Sequence, residues 1–94
     1  MGFQFEWDPV KAAANLRVHG VSFAEASTAF GDPFAQLLPD PDHSGRETRY
    51  LLLGVSELQH LLVVCHTERR GATIRIISAR KANRSERQKY EEEI

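Results

Sequence analysis

The sequence predicts an α+β domain spanning residues 1–94, with an antiparallel sheet and elements in the order β-α-α-β-β-β-β-α. Three observations carry this expectation. Helix signals gather in the first third and at the end, while strand signals follow one another in the middle instead of alternating with helices. The three central strands are separated by turns of only a few residues, which suit an antiparallel meander and are too short for a parallel crossover. A chain of 94 residues, 41% of them hydrophobic, suffices for one core and no more.

Each element has its own local reason. Phe3, Phe5 and Trp7 alternate with Gln4, Glu6 and Asp8, the period-two pattern of a short first strand. Asp8-Pro9 starts a helix, with Asp as N-cap and Pro where a missing N–H costs nothing. That helix runs through Lys11, Ala12–Ala14, Leu16 and Val18, and stops at His19-Gly20. Ser22-Phe23-Ala24-Glu25 is a capping-box pattern for a second helix, with Val21 set to staple against Ala26 and an end near Phe30-Gly31. Phe34–Leu38 reads as a short strand, and the Pro- and Asp-rich stretch Pro39–Gly45 as a loop. Strands are then expected over Glu47–Ser56, His60–Thr67 and Thr73–Lys81, reversing at Glu57-Leu58-Gln59 and at Glu68–Gly71, where Gly71 permits positive φ. Asn83 caps a closing helix with Glu86 three residues on. Leu51, Leu53 and Val55 oppose Tyr50 and Leu52, and Val63 and Cys65 oppose Leu62 and Val64, so both sheet faces are apolar. Helices one and two are expected on one face and the last helix on the other.

Net charge is −1, but its distribution is uneven. Residues 1–68 hold four Lys/Arg against nine Asp/Glu, and residues 69–94 hold eight against four. A cationic final third suits phosphate, an acidic protein partner or simple solvation. The single cysteine, Cys65, excludes an internal disulfide and fits a reducing compartment. No secretory signal is visible, and the longest apolar runs, Tyr50–Val55 and Leu61–Cys65, are too short to span a membrane. A cytoplasmic protein with no membrane association is expected.

An ordered set of motifs adds a resemblance. Phe5-Glu6-Trp7-Asp8-Pro9 with Lys11-Ala12 and Asn15 opens it, followed by His19-Gly20-Val21-Ser22-Phe23, Glu25-Ala26, Phe30 and Asp32-Pro33. Glu47, Arg49-Tyr50 and Gly54, the block Arg75–Ala82, Glu86-Arg87 and Tyr90-Glu91 complete it. Together these resemble the BrnT family. The resemblance implies a RelE-like fold and an RNA-cleaving toxin of a type II toxin–antitoxin system, held inactive by a ribbon-helix-helix antitoxin, BrnA. The pattern departs at Val18, where the family commonly carries a basic residue; Arg17 stands one place earlier, turned by about 100° on the helix.

RNA cleavage without a metal must deprotonate a 2′-OH, stabilise phosphorane charge and protonate the departing 5′-oxygen. Arginine suits the second task, because its planar fork stays charged and grips two phosphate oxygens. Arg75 and Arg80 lie on the last strand, on opposite faces unless a bulge intervenes, and Arg80 is the better phosphate clamp; a surface ion pair is its plainer role. Glu47 and Arg49 share a face of the third strand, where Glu47 would serve as general base, orient a guanidinium or form an ordinary ion pair. His66 is the natural proton-transfer candidate, since imidazoles titrate near neutrality, or else a satisfied strand-end histidine. Lys11, Arg17, Arg69 and Lys81 are further candidate RNA contacts. His19 reads as a helix-end cap, Phe5 and Trp7 as core, and His43 as an exposed loop residue. Cys65 sits in an apolar strand that disfavours a thiolate. No zinc-type spacing is present, so neither metal nor cofactor is expected. The competing reading is a non-catalytic toxin-fold module that acts with an antitoxin as corepressor. The closing helix, flanked by Arg84 and Arg87, would dock the antitoxin or pack on its own sheet.

Overall fold

A computed structural model describes residues 2–40 and 47–94. His43, and the expected loop beyond Asp40, lie outside the described residues. Helix α1 (Pro9–His19) begins where the Asp8 carboxylate accepts the Lys11 N–H at 2.9 Å, and ends where Gly20 turns left-handed (φ 71°) and donates to the Leu16 carbonyl. Helix α2 (Phe23–Thr28) begins where the Ser22 hydroxyl accepts the Glu25 N–H, also at 2.9 Å. The reciprocal half of the expected capping box is not made. The Glu25 carboxylate instead accepts the Ser56 hydroxyl and meets His60 Nδ1, each at 2.7 Å, so a tertiary contact replaces the local one. Burial raises the Glu25 pKa, but those two hydrogen bonds and the nearby charges of His60 and Lys81 outweigh it and hold the carboxyl below its usual range.

After a 3-10 turn at Ala29–Gly31, strand β2 (Gln36–Pro39) begins two residues later than expected. The meander follows as β3 (Tyr50–Val55), β4 (Leu61–Glu68) and β5 (Thr73–Lys81), and then α3 (Arg84–Glu92), whose Asn83–Glu86 capping box is fully formed. The two meander turns carry positive φ at Gln59 and Gly71. Gly54 is required by a close approach: a Cβ there would stand 2.9 Å from the Ala29 carbonyl oxygen.

The element order agrees with expectation, but the sheet is mixed rather than antiparallel. Its strand order is β1-β5-β4-β3-β2, and β1 (Gln4–Glu6) runs parallel to β5, with Phe5 opposite Ile74. Short turns dictate direction only for strands that follow one another. β1 reaches β5 through the whole intervening chain, and so long a connection permits parallel pairing.

A second tertiary feature lies between β4 and β5. Cys65 pairs with Ser78 but His66 with Ile76, so Ile77 is a bulge residue. The extra residue reverses the alternation of β5. Ile76 and Ala79, three apart, both join the cluster of Val21, Phe23, Ala26, Leu52, Leu62 and Val64, which Phe5 and Trp7 pad. Arg75 and Arg80 consequently share the other face, where Leu53, Leu61 and Val63 pack with Tyr90 of α3. Fully burying each large side chain of this kind contributes roughly 1.5–3 kcal/mol. The Tyr90 hydroxyl donates to Asp32 at 2.6 Å, and the backbone N–H groups of Val55 and Phe34 donate to the same carboxylate. Burial raises the Asp32 pKa and these three bonds more than offset it. Burial and the Asp32 charge push the Tyr90 phenol up to about 12. Among the described residues, no helix is long and apolar enough to cross a membrane.

Candidate functional site

The bulged face opens into a cavity of about 620 Å³. Arg49, Leu51, Val63 and Cys65 line its floor, with Ile77–Arg80, Asp40, Glu86 and His19 around them. Asn15 brings α1 to this place. Its amide is buried at 7% exposure and makes three bonds: Nδ2 donates to the carbonyls of Val21 (2.9 Å) and Ala79 (2.8 Å), and Oδ1 accepts the Ala79 N–H (3.1 Å). Gripping β5 one residue before Arg80, it sets His19, one helical turn further on, at the cavity rim. The Gly20 N–H already closes the helix end, and the His19 ring makes no hydrogen bond among the described residues. The expected capping role is therefore taken by backbone.

The two cavity arginines differ. Both Nη atoms of Arg80 donate to the two Glu86 carboxylate oxygens at 2.8 Å. This pairing raises the Arg80 pKa, and Arg80, with the Asn83 N–H, holds Glu86 below its ordinary value. The helix cap of α3 thus also orients a guanidinium. Arg49 forms no ion pair among the described residues, and its Nε is buried without any hydrogen-bond partner. An unsatisfied buried guanidinium N–H costs free energy that a bound anion would recover. The Cys65 thiol lies 3.5 Å from Asp40; burial and that carboxylate push its pKa up to about 11, so it stays protonated and is no nucleophile near neutral pH.

The remaining predicted residues stand elsewhere. Arg75 donates to Glu6 at 3.0 Å, and Arg69 bridges Glu6 (3.6 Å) and Glu47 (3.4 Å). Glu47 lines a neighbouring hollow with Thr67, Glu68 and Arg69, while Arg49 lines the cavity, and Glu47 forms its ion pair with Arg69 instead of Arg49. His66 is 1% exposed on the opposite face, its ring 4.9 Å from Phe30 and 5.9 Å from Tyr50, with Nδ1 3.2 Å from the Val64 carbonyl oxygen. Burial lowers its pKa against the opposing pull of that carbonyl and Glu68. Lys81 is exposed and acts on Glu25 across the sheet from Arg80. Lys11 and Arg17 are both exposed on α1; Lys11 borders a groove beside the cavity, and Arg17 lines neither.

Nothing in the sequence pattern marks His19 or Glu86 as lining this candidate site. Asn15, which holds it in place, leaves one signal: an asparagine amid Ala12–Leu16 is a poor interior helix residue and needs a tertiary reason. Among the described residues, no three His, Cys, Asp or Glu side chains cluster as metal ligands.

A mixed sheet that carries a cavity lined by Arg49 and Arg80 on its bulged face defines an α+β protein with a guanidinium-lined cleft. The model of the family described as the ribonuclease toxin, BrnT, of type II toxin–antitoxin systems matches residues 7–86, and the chain belongs to that family. The match includes Asn15, His19, Arg49, Arg80 and Glu86. No curated protein matches the chain.

Proposed function

We propose that the cavity is the centre of a metal-independent endoribonuclease on a RelE-like fold. In this reading the protein cuts cytoplasmic RNA, arrests translation and growth, and is neutralised by a ribbon-helix-helix antitoxin of the BrnA kind. Arg49 and Arg80 grip the non-bridging oxygens of the scissile phosphate. The 2′-oxygen forms a bond to phosphorus and loses its proton, and the bond to the 5′-oxygen breaks as that oxygen gains one. The products carry a 2′,3′-cyclic phosphate and a 5′-hydroxyl. Guanidinium charge meets the extra charge of the phosphorane, which exists only at the transition state. Glu86 aims the Arg80 fork, and His19 is the proton-transfer group at the rim.

The observation that carries this reading is the buried, unpartnered Nε of Arg49 in the same cavity as Arg80. Arg80→Ala tests it: cleavage in excess EDTA should fall by about 10²–10³-fold in a protein that still folds. Full activity in that variant, or activity that vanishes with EDTA and returns with a divalent ion, would overturn it. One observation favours the second reading, a non-catalytic module bound to its antitoxin: Glu86 already fills the Arg80 fork. That reading expects tight antitoxin binding, no RNA cleavage and normal growth at high expression.

A further inference from the structure

A groove of about 240 Å³ runs from the cavity between α1 and β5. Ala14, Val18 and Ile77 floor it, and Lys11 stands at its far end. His19 and Ile77 line both spaces, so the groove and the cavity adjoin and share a wall. The β5 bulge places Ile77 at the join. Lys11 and Val18 are seven residues apart, so they lie on one stripe of the helix and about 10 Å from each other along its axis.

We propose that this groove seats the nucleotide next to the scissile phosphate, with Lys11 holding the phosphate beyond it. The proposal rests on the reading of the cavity as an RNA-cleaving site and names the path by which the strand leaves it. From Pro9 to His19 the helix carries no carboxylate, and Lys11 has no ion pair among the described residues. The nearest acid in sequence, Asp8, accepts the Lys11 backbone N–H. A cation at the end of a short apolar trough suits a sugar and base followed by a phosphate. Three small aliphatic side chains fall well short of the roughly 800 Å² per partner of a stable protein interface, which disfavours a docked protein. Val18 lines the groove beside His19, so the groove is apolar near the cavity and carries its lysine, Lys11, at the other end.

The test measures binding of a single-stranded RNA whose 2′-hydroxyls are methylated to prevent cleavage. Val18→Glu should weaken binding about tenfold, because it sets a carboxylate against the RNA backbone. Ala13→Glu adds the same charge to the same helix at an exposed position outside the groove, and should change affinity less than about twofold. Lys11→Ala should lower the slope of log affinity against log salt by about 0.7, the loss of one phosphate contact. Thermal melting checks that each variant folds. Equal weakening by Val18→Glu and Ala13→Glu overturns the proposal, since only bulk charge would then matter. Unchanged RNA affinity in Val18→Glu with loss of antitoxin neutralisation also overturns it and assigns the groove to a protein. Arg80→Ala is measured alongside. If it weakens binding while Val18→Glu does not, only the groove proposal fails; if Arg80→Ala changes neither binding nor cleavage, the reading of the cavity fails with it.

Discussion

Two groups of arginines share one face of the sheet and occupy different electrostatic settings. At the β1 end, Arg69 and Arg75 are interleaved with Glu6 and Glu47 in a partly exposed ladder of ion pairs. In the cavity, Arg80 is held by one carboxylate and Arg49 by none among the described residues. All four cations are alike in sequence. Asp40 and Glu86 line the cavity too, so the number of carboxylates does not separate the groups. What separates them is pairing, since Arg69 and Arg75 each meet a carboxylate and the buried Arg49 Nε has no hydrogen-bond partner among the described residues.

The sharpest way to break this contrast is by activity. Arg49→Ala should cost about 10²–10³-fold in RNA cleavage, and Arg75→Ala less than about threefold. A comparable loss in both would erase the distinction between the two groups. The next largest effect concerns what holds the cavity together. Asn15→Ala strips partners from the Ala79 N–H and two carbonyls, and should lower stability by about 3 kcal/mol in urea unfolding. Tyr90→Phe removes one hydrogen bond to a carboxylate under α3 and should cost about 1.5–3 kcal/mol, read from the same midpoint shift.

Proton linkage separates the two sheet faces. Burial on the face covered by α1 and α2 lowers the His66 pKa from an ordinary 6.5, so the unfolded chain binds the extra proton and stability falls as pH drops below that value. Glu25, Asp32 and Glu86 have lowered pKa values, so their contribution is present above the usual carboxylate range and is lost at still lower pH. Cys65 and Tyr90, raised from 9.0 to about 11 and from 10.0 to about 12, contribute stability that disappears as pH climbs through those intervals. Unfolding midpoints should therefore peak between about pH 7 and 9, and a flat profile between pH 5 and 7 would contradict the burial of a neutral His66. The smallest effect belongs to the exposed ladder: Glu6→Gln should change stability by less than about 1 kcal/mol.

The legibility of the molecule follows the range of each interaction. Asp8, Gly20, Ser22 and Asn83 ended or began their helices as read, because a cap involves groups three or four residues apart. The bounds of β5, Thr73–Lys81, also matched the apolar pattern. Glu25 fits a capping pattern locally but does not cap, because its partners, Ser56 and His60, lie 31 and 35 residues away. Arg75 and Arg80 share a face only because of a bulge at Ile77 that no local pattern reveals.

Taken alone, the sequence determined the element order, the caps, the turn positions and the supply of cations in the final third, since these depend on neighbours along the chain. Only the tertiary structure decided that β1 runs parallel to β5, that Ile77 bulges, that His66 is sealed behind the sheet, and that His19 and Glu86 stand beside Arg80. Those outcomes depend on register and on which side chains of distant segments compete for the same charge, and a one-residue shift in either moves a group from core to cavity.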